Sequence, residues 1–180
     1  MPAVILLNLD PPVIEQILQH PEDFQRERET QIGDVTHVLR DVALQIQGLL
    51  EAKRCDPKWL GYLGIDQESR LIVGSCAFKG EPVNGVVEIA YYTFPPFEHR
   101  GYATSMAQEL LRIARGSGLV RSVTAHTLPE RNASTRVLEK NGLQFVREVV
   151  DPEDGLVWKW ERKLADVRPV PTPPSPPPSG

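Results

Sequence analysis

The spacing of apolar residues in the first third of the chain predicts one strand and two helices. Residues 3–9 form a nearly unbroken apolar run that predicts a strand. Residues 12–19 predict a short helix, because proline is favoured in the first helical turn. From residue 35 to about residue 52 apolar side chains return at helical spacing, which predicts a long helix with Asp34 as its N-cap. The mixed charges of residues 22–29 predict a solvated loop between these helices.

The middle and the end of the chain contain short runs rich in β-branched and aromatic residues, which are typical of strands. A hairpin turn at residues 66–69 separates the first two runs, and a last hairpin turns at residues 151–155. The strands predicted in this part of the chain are residues 59–65, 71–78, 86–94, 120–127, 143–150 and 156–161.

Two helices are predicted between these strands. Residues 104–115 carry an apolar stripe at helical spacing, with polar side chains opposite. Residues 132–141 form the second helix, which Gly142 closes at its C-terminal end. Because strands precede and follow both helices, the sequence predicts a mixed α/β sheet with helices on its faces.

Composition divides the chain into a domain and a tail. Residues 1–165 are long enough for a single domain with a substantial core. Residues 166–180 are rich in proline and cannot pack a core, so we expect an extended, disordered tail. The tail contains an R-x-x-P-x-x-P pattern at Arg168, Pro171 and Pro174, of the kind that polyproline-binding domains recognise.

Charge and cysteine content narrow the functional classes. A net charge of -4 and a pI near 5.6 argue against nucleic-acid binding. Cys55 and Cys76 lie far apart, with no Cys or His at metal-ligand spacing, which predicts reduced cysteines, no metal and a cytoplasmic location. The apolar run at residues 3–9 is too short for a secretory signal or a membrane span, so no membrane association is expected.

A glycine-containing turn at residues 98–104 joins the strand at 86–94 to the next helix. The first N–H groups of a helix have no partner within it, and the positive end of the helix dipole lies there. Gly101 and Ala103 are small enough to let a ligand approach the backbone. The turn therefore predicts a phosphate-binding loop.

Residues 94–104 and 132–143 resemble two conserved segments of the GNAT superfamily of N-acetyltransferases, the first being its pyrophosphate loop. The resemblance extends over about residues 59–162, and the branch that looks most similar contains the ribosomal-protein N-terminal alanine acetyltransferases. It implies an α/β, GNAT-like fold with a mixed, mostly antiparallel twisted sheet and helices on both faces. It also implies acetyl transfer from acetyl-CoA to a primary amine, at a protein N-terminus or on a small molecule, by direct attack in a ternary complex. We expect a monomer or a homodimer.

The resemblance further implies which residues contact acetyl-CoA. Backbone groups of Tyr92, Thr93 and Phe94 would meet the pantetheine arm and the acetyl carbonyl. Asn132 matches a family asparagine near the pantetheine, but asparagine at the start of a helix is also a common N-cap, and both roles stay open. The residues implied to hold the phosphates are His99, Arg100, Gly101, Tyr102, Ala103 and Thr104.

The reaction also needs proton transfer, because an amine attacks a thioester only when it is neutral. Glu88 is the first candidate for the catalytic base, since it shares a strand face with Tyr92. His126, near the end of the adjacent strand, is the second candidate. A solvent-facing carboxylate and an exposed histidine are the alternatives. Many family members have a tyrosine acid where this chain has Leu138, so the resemblance implies that the thiolate leaves without a tyrosine.

Two other functions compete with acetyl transfer as interpretations of the sequence. A dinucleotide-binding oxidoreductase would need the three-glycine fingerprint, which the sequence lacks. A non-catalytic acyl-CoA-binding or interaction protein on the same scaffold is the alternative, prompted by Leu138 and by the proline-rich tail. The sequence does not identify the acceptor amine.

Overall fold

The computed structural model describes residues 1–164, and the segment predicted as a disordered tail lies outside the described residues. A seven-stranded sheet in the order β1-β2-β3-β4-β5-β7-β6 forms the centre of the molecule. The strands are β1 (Val4–Asn8), β2 (Gly61–Asp66), β3 (Ile72–Phe78), β4 (Val86–Thr93), β5 (Ser122–Thr127), β6 (Gln144–Asp151) and β7 (Gly155–Lys163). The helices are α1 (Pro11–Gln19), α2 (Pro21–Arg28), α3 (Thr36–Lys53), α4 (Tyr102–Gly116) and α5 (Ala133–Lys140).

The sheet is mixed but mostly antiparallel, as the family resemblance implied, and β4–β5 is its one parallel pair within residues 1–164. This parallel ladder is short, pairing Val86–Glu88 with residues 122–124. Because β4 continues to Thr93 and β5 to Thr127 without further pairing, a gap opens between the two strands. The gap places unpaired backbone at the centre of the sheet.

Helices cover both faces of the sheet. Gly61 and Gly64 lie three positions apart on β2 and therefore face opposite sides. A Cβ atom on Gly61 would lie 2.6 Å from Ile46 of α3, whereas one on Gly64 would lie 2.5 Å from the Sδ atom of Met106 of α4. The two sides are called here the α3 face and the α4 face. Glycine at both positions lets the helices pack directly on the strand backbone.

Each face has its own hydrophobic core. The core of the α3 face joins helices α1, α2 and α3 to the sheet and contains Phe24, Leu39, Ile72 and Phe94. The core of the α4 face contains Met106, Leu110, Val123, Leu138 and Trp160. Trp158 and Trp160 of β7 pack on the same face of the sheet, with ring centroids 6.5 Å apart.

Two local predictions in the N-terminal part were wrong. Residues 22–29, predicted as a solvated loop, largely form α2, because Phe24 is fully buried and anchors an otherwise charged helix. Asp34 is not the N-cap of α3. It lies in a 3₁₀ turn, Gly33–Val35, and α3 begins at Thr36 without a side-chain cap.

None of the helices within residues 1–164 combines the length and the hydropathy needed to cross a bilayer. Both Cys55 and Cys76 are free thiols, and burial raises the pKa of the Cys76 thiol.

Candidate active site

The loop between β4 and α4 exposes backbone N–H groups. Gly101 is the N-cap of α4 with φ at 88°, in the left-handed region that favours glycine. No side chain caps this end of the helix, and the N–H of Ser105 donates to the carbonyl of Gly101 at 3.2 Å. The N–H groups of Tyr102, Ala103 and Thr104 therefore have no partner inside the helix. Such free donors at the positive end of a helix dipole form an anion site.

A cleft of about 580 Å³ opens in front of these N–H groups. This α4 cleft lies between the end of β4 and the first turns of α4 and α5, and its walls include Tyr91, Ser134 and Arg136. Most of the residues implied by the resemblance line it: Tyr92, Thr93, His99, Gly101, Tyr102, Ala103 and Thr104. The structure thus brings together two segments that lie about forty residues apart in the sequence.

Three implied contact residues do not line the α4 cleft. The side chain of Phe94 is fully buried, and its N–H donates to a carbonyl of β3. The guanidinium of Arg100 lies over the ring of Phe97, 5.9 Å from its centroid. Asn132 accepts a hydrogen bond from the N–H of Thr135 at 3.1 Å and forms a capping box with it. Of the two roles left open for Asn132, the structure shows the N-cap.

Arg136, Lys140 and Tyr91 are among the lining residues that the sequence did not reveal. Arg136 and Lys140 are four positions apart on α5, so both face the cleft and bring positive charge to it. Their i, i+4 spacing within the second conserved segment was a usable signal. The hydroxyl of Tyr91 donates to the carbonyl of Ser134 at 3.0 Å, and burial raises the pKa of Tyr91, so the phenol stays protonated. This bond ties β4 to the start of α5 across the gap.

Tyr102 is fixed by a contact outside the cleft. Its hydroxyl donates to Oδ2 of Asp66, in the β2–β3 turn, at 3.2 Å, and Ser69 donates twice to Oδ1 of the same carboxylate at 2.7 Å. Burial raises the pKa of Asp66, but hydrogen bonds from Ser69, Tyr102 and the backbone of Glu68 outweigh it and hold the pKa below 3.8. The ionised carboxylate therefore holds the first residue of α4 in place.

The alternation of backbone groups along β4 leaves donors free at the gap. The N–H of Lys79 donates to the carbonyl of Glu88, and the N–H of Phe94 donates to β3, so even-numbered residues of β4 bond toward β3. The N–H groups of Tyr91 and Thr93 point the other way, where β5 has already separated, and have no strand partner in the described chain. Both residues line the α4 cleft near the C-terminal end of β4.

A pocket of about 330 Å³ occupies the gap between β4 and β5 and is called here the splay pocket. It shares Tyr91 and Ser134 with the α4 cleft, so the two spaces adjoin. Glu88 pairs with Thr124 on β5, and His126 lies two residues further on the same face. Oε1 of Glu88 lies 3.0 Å from Nδ1 of His126. The two candidate bases therefore form one pair.

Lys79 contacts the same carboxylate, with its Nζ 2.6 Å from Oε1 of Glu88. Partial burial lowers the pKa of Lys79, but Glu88, Asp151 and Asp154 outweigh burial and raise it above 10.5, so the side chain is an ammonium ion. Oε1 of Glu88 and Nδ1 of His126 are both buried, and despite these short contacts neither completes a well-aligned hydrogen bond.

The tyrosine acid common in the GNAT family has no counterpart here. Leu138 is fully buried in the core of the α4 face. Hydroxyl groups that line both the α4 cleft and the splay pocket belong to Tyr91 and Ser134. Within residues 1–164, no group of three or more His, Cys, Asp and Glu side chains is arranged to hold a metal ion.

On the α3 face, a groove of about 460 Å³ runs between α3 and the sheet. This α3 groove shares Lys79, Ala90 and Tyr91 with the splay pocket, so it leads to Glu88. Its floor is formed by two cross-strand pairs, Ser75–Tyr92 and Ala77–Ala90, and the apolar residues that α3 contributes are Val42, Ile46 and Leu49.

The β6–β7 hairpin brings acidic residues to the same region. Asp154 lines the splay pocket and Glu153 lines the α3 groove. The carboxylate of Asp151 accepts hydrogen bonds from the N–H groups of Asp154 and Glu153, at 3.0 and 2.8 Å, and these bonds lower its pKa below 3.8. These bonds hold the turn so that Asp154 lies beside the splay pocket and Glu153 beside the α3 groove.

Comparisons with known proteins agree with this architecture. The sequence profile of the acetyltransferase (GNAT) domain matches residues 6–144. The uncharacterized N-acetyltransferase YjdG of Bacillus subtilis (strain 168) is 32% identical over 79 residues, which are 43% of this chain and 47% of that protein. The match thus spans about half the length of that relative.

Two solved structures with similar folds contain the cosubstrate or its product. The microcin C7 self-immunity acetyltransferase MccE, in complex with acetyl-CoA and AMP, is 13% identical with a TM-score of 0.62, covering 90% of this chain and 93% of that one. RimL, a ribosomal L7/L12 alpha-N-protein acetyltransferase in complex with coenzyme A, is 18% identical with a TM-score of 0.58, covering 89% and 93%. At these identities the likeness concerns the fold. Because the family profile matches more than half of its residues, the chain belongs to the GNAT acetyltransferase family.

Proposed function

We propose that the protein transfers the acetyl group of acetyl-CoA to a primary amine within a ternary complex. The observation that carries this proposal is that two spaces adjoin: the α4 cleft, with its free N–H groups, shares Tyr91 and Ser134 with the splay pocket that Glu88 and His126 line. Acetyl-CoA supplies an activated thioester. In the transfer an N–C bond forms, the C–S bond breaks, and coenzyme A leaves as the thiol with a proton.

Binding of the donor is assigned to the α4 cleft. The N–H groups from His99 to Thr104 would hold the pyrophosphate, with Gly101 keeping the loop in its left-handed turn. Arg136 and Lys140 would add charge-assisted contacts to phosphate oxygens. The coenzyme complexes of MccE and RimL support this assignment through their similar folds.

Polarisation of the thioester is assigned to β4. The N–H groups of Tyr91 and Thr93 face the gap, where they would donate to the acetyl carbonyl oxygen as negative charge develops on it. Phe94 is left out of this role because its N–H already bonds to β3. Tyr92 would contribute through its position in the cleft wall.

Proton removal is assigned to the Glu88–His126 pair. The carboxylate of Glu88 contacts Nδ1 of His126, which leaves Nε2 as the ring nitrogen that can accept the proton of the amine. A carboxylate beside one ring nitrogen stabilises the imidazolium that forms at the other. The pair is therefore assigned the removal of the proton from the amine.

We also propose that residues 1–165 form one domain, and that the protein acts in the cytoplasm as a monomer or a homodimer. Its branch within the family is proposed to be that of the ribosomal-protein N-terminal acetyltransferases. The fold of RimL supports this branch, and the loop and second segment of the sequence resemble it.

Isothermal titration with acetyl-CoA, followed by a thiol-release assay, tests the proposal. Replacing Arg136 and Lys140 by alanine should weaken acetyl-CoA binding at least about tenfold, since a hydrogen bond to a charged group is worth about 1.5–3 kcal/mol. Arg131→Ala is the matched control, because Arg131 is exposed, pairs with Glu139 and does not line the cleft. No binding of acetyl-CoA to the wild-type protein would sink the proposal. Binding without transfer to any amine would favour the non-catalytic alternative.

A further inference from the structure

The α3 groove has no role in binding acetyl-CoA as assigned above, yet it leads to the proposed base. It shares Lys79 and Ala90 with the splay pocket, and Lys79 contacts Glu88. The acetyl donor is assigned to the α4 cleft, so the groove would offer a separate approach from the opposite face of the sheet. Two substrates arriving from opposite faces would meet in the gap between β4 and β5.

The walls of the groove are mainly uncharged. Along its floor, Ala77 and Ala90 leave the space empty above the sheet, and Leu49 and Val42 of α3 cover it. A volume of about 460 Å³ lies within the range typical of small-ligand sites, which are lined mostly by apolar side chains. Transfer of an uncharged, apolar group from water into such a space costs less free energy than transfer of a polar or charged group.

The carboxylates near the inner end of the groove favour an acceptor that carries an amino group. The ammonium of Lys79 rests 2.6 Å from Oε1 of Glu88, which shows that a primary ammonium fits beside this carboxylate. Glu88, Lys79 and His126 all line the splay pocket, so an amino group that enters this pocket meets the carboxylate and its two partners. Asp154 and Glu153 extend the negative potential to the mouth of both cavities.

Charge along the groove disfavours a second cation on the acceptor. Lys53 crosses from α3 and donates from Nζ to the carbonyl of Lys79 at 2.7 Å, and both ammonium groups border the groove. A polyamine or an aminoglycoside would bring further positive charges next to Lys53 and Lys79. An acceptor with one ammonium and an apolar body avoids this repulsion.

We propose that the acceptor is a primary amine on an uncharged apolar body, seated in the α3 groove with its nitrogen directed at Glu88. This proposal rests on the acetyl transfer proposed above and adds the class of acceptor. A free alkyl or arylalkyl amine and a peptide N-terminus with an apolar first side chain share this chemistry. The α3 groove is the proposed binding site for both kinds of acceptor, and the experiment below distinguishes between them.

The experiment compares acceptors by thiol release from acetyl-CoA. The panel contains phenethylamine and hexylamine, short peptides beginning with leucine or with serine, and, as polar amines, spermidine, glycine and an aminoglycoside. We expect kcat/KM for the apolar amines or the leucine peptide to exceed that for each polar amine by about tenfold or more. Small amines reacting better than the leucine peptide would identify a free amine as the source, and the reverse would identify a peptide.

Three variants test whether the acceptor binds in the α3 groove. Ala77→Leu fills the floor of the groove and should lower kcat/KM for apolar acceptors about tenfold or more, with the KM for acetyl-CoA unchanged. Ala52→Leu makes the same change on an exposed residue of α3 and should leave kcat/KM within about twofold. Leu49→Gln changes a partly exposed residue of α3 and should also lower kcat/KM for apolar acceptors. It serves as the test variant if Ala77→Leu does not fold.

Binding supplies a readout that does not depend on transfer. Saturation-transfer NMR with phenethylamine and the protein alone should show contact, which Ala77→Leu reduces and Ala52→Leu does not. Preference for spermidine or the aminoglycoside, or equal kinetics for Ala77→Leu and wild type, would overturn the acceptor class while leaving acetyl transfer standing. Bound acetyl-CoA with no transfer to any apolar amine would also overturn it. Failure to bind acetyl-CoA would instead count against the proposed function itself.

Discussion

Replacing Gly101 by alanine probes the loop on which the donor site depends. Gly101 has φ at 88°, and a Cβ atom built there lies 3.3 Å from Cδ of Pro2. Gly118 has a similar φ of 67°, with nothing within 4 Å of its Cβ position. The two glycines therefore impose a comparable backbone requirement, but Gly101 alone of these two lies in the α4 cleft.

The expected loss of stability follows from the backbone conformation. A residue with a Cβ atom costs about 1–2 kcal/mol in the left-handed region. Alanine recovers about 0.4–1 kcal/mol by restricting the unfolded chain. A net loss of about 1 kcal/mol is expected for Gly118→Ala, and slightly more for Gly101→Ala because of Pro2. For a chain of this size each kcal/mol lowers the Tm by about 2–4 °C.

Binding should separate the two variants. A Cβ atom at position 101 strains the left-handed turn, and a loop that relaxes this strain moves the N–H groups of Tyr102 and Ala103 from the positions proposed for the pyrophosphate. Loss of one hydrogen bond to a charged group, about 1.5–3 kcal/mol, raises the Kd for acetyl-CoA roughly 10- to 100-fold. Gly118→Ala should leave the Kd unchanged.

Differential scanning calorimetry and isothermal titration measure these two quantities on the same samples. We expect similar Tm losses for the two variants and a weaker Kd for Gly101→Ala alone. Equal Kd values for Gly101→Ala and Gly118→Ala would refute the reasoning, because the left-handed turn would then have no part in holding the pyrophosphate.

Three further outcomes are expected. Glu88→Gln should lower kcat in the thiol-release assay about 100-fold without changing the KM for acetyl-CoA; an unaltered kcat would remove Glu88 from proton transfer. Asn141→Ala deletes the Nδ2 donor that bonds the buried carbonyl of Thr104 at 3.2 Å, and should cost about 1–3 kcal/mol in urea unfolding. Because the pKa of Asp66 is lower in the folded protein, its stabilising contribution is complete above pH 3.8 and disappears as the pH falls through the lowered value. Acid unfolding of Asp66→Asn should therefore be less steep than that of Asp41→Asn, an exposed control, and equal slopes would contradict the role of Asp66.

Much of the fold could be predicted because its signals are local. The strands of the meander, the turn at Gly101 and the closure of α5 by Gly142 depend on side chains within a few residues of each element. The prediction for residues 22–29 failed for the opposite reason. One buried residue, Phe24, outweighs the charged sequence around it, and its burial depends on a core that α1, α3 and the sheet build together.

The candidate site was predicted as separate pieces. Glu88 and His126 were each identified from residue type and strand position, but their 3.0 Å contact follows from the β4–β5 register, which joins segments 38 residues apart. Lys79 was not identified at all, since its contact with Glu88 depends on the β3–β4 register. The N–H of Tyr91 is free because it points away from β3, whereas the N–H of Phe94 is used in a hydrogen bond to β3. This difference also depends on the β3–β4 register.

The α/β class, the order of the strands and of the helices other than α2, and a loop suited to phosphate could all be predicted from the sequence, because periodicity, turn residues and helix ends are local properties of the chain. Only the tertiary structure decided which side chains meet in the gap, which of the implied contact residues line the cleft, and that a groove reaches Glu88 from the α3 face. The physical reason is that strand register and helix packing are chosen by contacts between distant segments, and a shift of one residue in β4 would turn Glu88 to the other face of the sheet.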